Sequence, residues 1–362
     1  MKNRLLQLDG IRALLCLSVV FSHWMGSRLG WTNFNFVNAY ISVDGFFILS
    51  GFVLSFVYSK KVSNGEIGFV QFSLHRLARL YPLHILTMLM VFFIYAVLNR
   101  HIPFDDPIGT AVNNLLLLHG MGLEQSWSWN DPSWSVSVEF YASIVLFLCL
   151  LKYRNNYALI IIASIGYALV MAKNHNLMAA KDLNLYLFSS GFLKCISGMC
   201  IGVVIKNILE SEGPKTSTRK TLFFQLVTIA LVSCFIFTKK NIMSYDALAI
   251  IGISYIIYSS CAYDNIVSRV LSSKILSYLG KISFSIYLIH TPVMLIFDYF
   301  GLYNNNSFVI STLLFCSILT AASCITFHFF EFPSYKVLKA FIDRKVAAGK
   351  MLPGISRENV RP

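Results

Sequence analysis

The sequence predicts an all-α fold, a polytopic transmembrane helical bundle of about ten helices. Three observations carry this. The 362 residues are 56% hydrophobic and 13% charged, with mean hydropathy +0.64, whereas a soluble domain carries about a quarter charged residues. Ten stretches approach the roughly 20 mostly apolar residues that a membrane helix needs. The Lys and Arg residues gather in alternate connecting segments, as the positive-inside rule requires.

In chain order the expected spans are 11–28, 39–58, 81–99, 133–151, 156–172, 186–206, 222–238, 245–262, 282–300 and 307–330. Pro82 enters the third span, where proline is tolerated in a first turn. AVNNLLLLHGM (111–121) is too short to cross and reads as re-entrant or interfacial. The stretch 156–172 is the shortest full candidate. An even number of spans puts both termini on one side. With the N-terminus inside, the inner segments hold 22 of the 30 basic residues, among them Lys2, Arg4, Lys60, Lys61, Lys152 and Arg154. The outer segments hold 6, and Arg12 and Lys194 fall inside predicted helices. The expected orientation is therefore N-in, C-in. Residues 1–332 read as one membrane domain and 333–362 as a short polar cytoplasmic tail. The basic excess is accounted for by topology, so no nucleic-acid partner is expected; the partner surface is the lipid bilayer.

The eight cysteines, Cys149 among them, lie in apolar runs without a C-x-x-C, and read as small buried hydrophobes with neither disulfides nor metal. After His23 the chain continues WMGSRLGW, without the small-residue cleavage site of a secretory signal. No phosphate loop, dinucleotide fingerprint, zinc-protease motif or nucleophile elbow is present.

Ionisable side chains inside membrane spans are expensive and mark candidate sites. Arg12 begins the first span. His23 is eleven residues on, about 16 Å along a helix. Counted from their outer ends, Asp44, Glu139 and Lys194 fall at a depth similar to His23, and His290 lies nearer the middle of its span. That coincidence predicts one shared polar cavity, although an ordinary Glu139–Lys194 ion pair accounts for two of the residues. Arg76 and Arg79 in FSLHRLARLYP (72–82) read either as a positive-inside flank or as a clamp on anionic oxygens, which guanidinium forks match.

These residues sit in recognisable surroundings. LDGIRALLCLSVVFSH (8–23), VDGFFILSGFVLSF (43–56), HRLARLYPLH (75–84), NDPSWSVSVEFY (130–141), ISFSIYLIHTPV (282–293) and FFEFP (329–333) occur in that order. Together they resemble the integral-membrane acyltransferase 3 family, which includes bacterial O-antigen and exopolysaccharide O-acetyltransferases. The resemblance runs to about Pro333. It implies a multi-pass enzyme of the bacterial inner membrane that moves an acyl group, acetyl above all, from cytoplasmic acyl-CoA to a hydroxyl of a surface or lipid-linked glycan such as lipopolysaccharide. Acetyl-CoA would be a donor substrate, with no permanently bound cofactor. The family's Arg and His of the first helix fall on Arg12 and His23, its basic pair on Arg76 and Arg79, and its W-S-x-x-x-E glutamate on Glu139. Some relatives carry an esterase-like domain after the membrane part, which this sequence lacks.

Acyl transfer to an alcohol needs a base and a stabiliser for the developing oxyanion. The expected base is His23, oriented by Glu139, with Arg12, Arg76 and Arg79 on the CoA phosphates. Asp44, Lys194 and His290 support the cavity. A transporter or flippase for a glycolipid or small anion is the competing reading. A purely structural scaffold explains the buried charges worst.

Overall fold

The computed structural model describes residues 6–349 except 31–35, 125, 153–154, 185–187, 214, 239–244 and 304–306, with the backbone alone of 148–152 and 184. The side chain of Cys149 and the basic residues Lys2, Arg4, Lys152, Arg154, Lys239, Lys240, Lys350, Arg357 and Arg361 thus lie outside the described residues.

Helices α1 (Leu6–Leu29), α2 (Ile41–Ser63), α3 (Phe69–Phe93), α5 (Trp134–Lys152), α6 (Asn156–Asn174), α7 (Ser190–Glu212), α8 (Arg219–Phe237), α9 (Asp246–Ala262), α11 (Lys274–Tyr299) and α12 (Phe308–Thr326) overlap the ten expected spans, but α3 begins well before residue 81, so Pro82 lies in the helix interior and not in its first turn. Shorter elements fill the joints: α4 (Pro107–Leu115), α10 (Ile266–Leu271) and α13 (Phe332–Ala347). Among the described residues, eight helices are both long and apolar enough to cross a membrane, and α9 is apolar but shorter. The protein is an all-α polytopic bundle.

The helix starts follow from local chemistry. Ser189, Asn155 and Ser307 each accept a backbone N–H of the first turn, and Thr218 and Asn265 form reciprocal capping boxes. Strand pairing is confined to two-residue contacts. Leu183–Asn184 pairs antiparallel with Phe188–Ser189, and Lys215–Thr216 pairs parallel with Tyr263–Asp264.

Glycines set the tightest helix crossings. On α2, a Cβ at Gly51 would collide with the Met199 backbone of α7, and one at Gly202 with the Ile48 carbonyl. Gly10 and Gly280 serve the same purpose where α1 meets the Leu271 backbone and α11 meets the Asp9 backbone of α1. Small residues let membrane helices approach backbone to backbone, where packing drives association. The outer faces carry the apolar surplus: Phe223, Leu231, Ile251, Leu313 and Ile325 are each at least 60% exposed.

One detail adds to the expectation and two differ from it. The patch at 111–121 belongs to the short helix α4 and a following turn, and it buries Asn114, Leu117 and His119. Cys234 and Cys316 are exposed on the apolar surface, whereas Cys16, Cys195 and Cys200 are buried. The segment read as a tail continues from α12 through a π-helical turn (Phe327–Glu331) into α13. There Asp343 holds it to α3, accepting from Gln71 at 2.9 Å and pairing with His75 at 2.8 Å.

Candidate functional site

A cavity of about 630 Å³ opens between α1, α2, α3, α5, α11 and α13. Its charged lining is one-sided. Arg12, Arg76, Arg79 and Lys281 face it, against the single carboxylate of Glu139. Aromatic rings from Tyr58, Phe284, Tyr287 and Tyr335 supply much of the remaining wall.

Arg76 and Arg79 are held from other elements. Arg76 and Arg79 are three apart on α3, so they share one face. Arg76 reaches Glu139 of α5 at 2.6 Å, and Ser50 of α2 donates to the same oxygen at 2.6 Å. The Nε of Arg76 is buried without a hydrogen-bond partner. Arg79 pairs with Glu331, which also accepts from Ser285. Its guanidinium lies 5.1 Å from the centre of the Phe284 ring. Glu331 can reach across because the π-helical turn ending at that residue shifts the face presented by the chain; such bulges recur at functional sites. Arg12 lies 3.9 Å from Asp9, one turn before it on α1.

The polar cluster expected in one place separates into three. The Arg12, Arg76, Arg79 and Glu139 set lines the cavity. His23 and His290 form a second set, with His23 Nδ1 and His290 Nε2 2.9 Å apart. They lie beyond Tyr287, the lining residue of α11 nearest to them in sequence. The third set is the buried pair Lys194–Asp44 at 3.5 Å, outside the cavity lining. Lys194 also donates to the Leu177 carbonyl and lies 5.7 Å from the centre of the Trp134 ring.

The expected orientation of His23 by Glu139 is therefore corrected: Arg76 and Ser50 engage that carboxylate. The Glu139–Lys194 pair is corrected likewise, because Lys194 turns to Asp44. Similar expected depth did not bring these residues together, because the direction in which each leaves its helix decides its partner.

Sequence reasoning gave no role to several residues that build this region. Ser50, Ser285, Tyr287 and Glu331 all sit inside stretches singled out for their motifs, and that was the available signal. Lys281 precedes one of them. Asn130 and Pro292 are coupled in a way that is legible only in three dimensions. Proline has no N–H, so Pro292 deprives the Leu288 carbonyl of its helical donor. Asn130 supplies the replacement, donating to that carbonyl at 2.9 Å and to Thr87 at 2.9 Å. The hydroxyls of Ser135 and Tyr287 lie 3.0 Å apart. Among the described residues no group of three or more His, Cys, Asp or Glu side chains could hold a metal ion.

The family model described as an acyltransferase domain matches residues 5–328. The chain belongs to the acyltransferase 3 family. The match ends within the π-helical turn, so it covers every helix that contributes to the cavity except α13. Among curated proteins the chain is similar to the peptidoglycan O-acetyltransferase OatA of Listeria monocytogenes, 26% identical over 315 residues. It is also similar to the putative peptidoglycan O-acetyltransferase YrhL of Bacillus subtilis, 25% identical over 319 residues. These alignments cover 79% and 80% of this chain, and 49% and 48% of the relatives. A shorter match, 38% over 107 residues, links it to protein 2 in the picA locus of Rhizobium radiobacter, covering 29% of this chain and 54% of that protein. The chain spans about half the length of the curated relatives it matches. No solved structure matches it.

Proposed function

We propose that this membrane-embedded member of the acyltransferase 3 family is an O-acetyltransferase, taking an acetyl group from acetyl-CoA and passing it to a hydroxyl of a cell-surface glycan. The single observation that carries the reading is the cationic cavity, in which four basic side chains face one carboxylate. A polyanion with a long neutral arm suits that lining: the phosphates of CoA meet Arg12, Arg76 and Arg79, and the pantetheine arm follows the aromatic wall toward Tyr287. The names of the Listeria and Bacillus relatives support acetyl transfer to a polysaccharide. A lipopolysaccharide or exopolysaccharide acceptor, the bacterial inner membrane, and an orientation with both termini and the Arg76 end in the cytoplasm belong to the same proposal. CoA enters as a donor substrate; no permanently bound cofactor is invoked.

The chemistry assigned to the chain is short. His23 takes the proton of the acceptor hydroxyl as its oxygen attacks the thioester carbon. The C–S bond breaks, the acetyl group stays on the acceptor oxygen, and the CoA thiolate leaves and takes the proton back from His23, which restores the neutral base. Neutral imidazole is suited to that role near neutral pH. Glu139 does not touch His23, and its assigned role is to hold Arg76.

The test is acetyl transfer by the purified protein in detergent, with acetyl-labelled CoA and a glycan acceptor. Wild type should yield labelled glycan, and His23→Ala should yield none while still inserting and folding. Near-wild-type transfer by His23→Ala would remove the histidine from the chemistry. Absence of transfer by wild type, with uptake of labelled solute into proteoliposomes, would favour a transporter instead.

A further inference from the structure

We propose that His290 is a positioning residue that fixes the tautomer of His23, holding the His23 proton on Nδ1 and directing the accepting lone pair of Nε2 toward the reaction. This rests on the reading of His23 as the base.

A backbone carbonyl fixes the first proton. His290 Nδ1 lies 2.6 Å from the Tyr287 oxygen. A carbonyl oxygen only accepts, so this nitrogen carries a proton. In a neutral imidazole the other nitrogen is then an acceptor. That nitrogen, Nε2, lies 2.9 Å from His23 Nδ1. Two acceptors do not hydrogen-bond, so His23 Nδ1 must donate. The proton of a neutral His23 is thereby placed on Nδ1, and Nε2 is its basic nitrogen. One carbonyl sets two rings in sequence.

Burial makes the chain of inference firm. His290 is fully buried, whereas His23 is half-buried, and neither ring lines the cavity. A second proton on His290 would place a charge among apolar residues, at a cost of several kcal/mol. The local helix is also secured: Asn130 caps the Leu288 carbonyl that Pro292 leaves open, on the turn that carries both Tyr287 and His290. The arrangement does what the aspartate does in a hydrolase triad, orienting a base and selecting its tautomer, but with a neutral group.

The prediction is read directly by nitrogen NMR of the full-length protein, labelled with 15N-histidine in nanodiscs. His23 is assigned by comparison with His23→Ala. Wild type should show His23 protonated at Nδ1 and unprotonated at Nε2; the reverse would overturn the proposal without any enzyme assay. Two variants extend the test. His290→Leu should lower kcat by about 10–100-fold, the range seen when the outer hydrogen bond of a metal-bound histidine is removed, with KM for acetyl-CoA nearly unchanged. His290→Gln, whose amide oxygen can accept from His23 and whose amide nitrogen can donate, should recover a large part of that loss. Equal impairment of the two variants, or full activity in His290→Leu, would refute the positioning role. If wild type transfers no acetyl group, the donor reading fails, and the NMR result still decides the tautomer.

Discussion

Arg76 Nη2 lies 2.6 Å from Oε1 of Glu139, joining α3 to α5 across the cavity wall. The side chains are 11% and 21% exposed, so the pair is only partly shielded from the cavity. Glu139 thus takes up part of the Arg76 fork and leaves the rest for an anion. Removing the arginine should cost the donor one charge-assisted contact, worth about 1.5–3 kcal/mol. Arg76→Ala should therefore raise KM for acetyl-CoA about 10–100-fold. Arg76→Lys should recover only part of the affinity, because an ammonium cannot serve two acceptors in a plane. Glu139→Gln should weaken donor binding less than Arg76→Ala does. Steady-state kinetics on the four proteins decide this; equal losses for Arg76→Ala and Glu139→Gln would mean that the pair is a structural clamp alone.

The Lys194–Asp44 pair makes a different prediction, because both side chains are almost fully buried. Removing one partner of a buried pair strands a charge, at roughly 3–5 kcal/mol. Asp44→Asn alone and Lys194→Met alone should each lower the melting temperature strongly in detergent. The double variant should melt closer to wild type than either single one, since replacing both partners by neutral groups is often nearly neutral. Additive losses in the double variant would show that the two residues act independently.

These two pairs also show what sequence could and could not convey. Ten helices were legible as apolar stretches, because apolar length is local and needs no knowledge of neighbours, but the polar first half of α3, from Phe69, was not. The residues of the cavity were legible as types for the same reason: a charge in an apolar run stands out. Their partners were not. Successive residues in a helix point about 100° apart, as follows from 3.6 residues per turn, so span ends uncertain by two residues leave direction undetermined. Helices apolar on nearly every side offer no polar stripe to fix the rotation. Asp44 and Glu139 have similar expected depths, yet one turns to Lys194 and the other to Arg76. The docking of α13 was hidden for another reason. Its link to α3 runs through Gln71, His75 and Asp343, ordinary surface residue types far apart in the chain.

Gly51 tests how closely the α2–α7 crossing is fitted. A Cβ there would overlap the Met199 backbone, which cannot rotate away as a side chain can. Overpacking of this kind costs about 1–3 kcal/mol. Gly51→Ala should melt earlier than wild type, whereas Gly68→Ala, where an added Cβ meets nothing within 4 Å, should melt close to wild type. A Gly51→Ala protein as stable as wild type would show that the two helices can part without loss.

The pair formed by Glu124 and Lys181 links the loop between α4 and α5 to the segment before α7. The charges lie 3.6 Å apart with both side chains about 5% exposed or less. Ser128 donates to Glu124 at 2.5 Å, and Lys181 donates to the Ser126 carbonyl at 2.8 Å. Burial pushes the Lys181 ammonium below the usual lysine range, while Glu124 and then Asp131 pull it back. Glu124→Gln removes the larger restoring charge, so the lysine should fall further and the folded state should lose roughly 3–5 kcal/mol near neutral pH. The direction with pH follows. Between the depressed folded value and the unfolded value near 10.4, the unfolded chain binds more protons, so this group's contribution to stability rises with pH. Below the folded value the penalty is constant. The melting temperature of Glu124→Gln should therefore recover relative to wild type as pH is raised through the alkaline range. A gap between the two proteins that stays constant or widens over that range would mean that Lys181 is not the group left stranded.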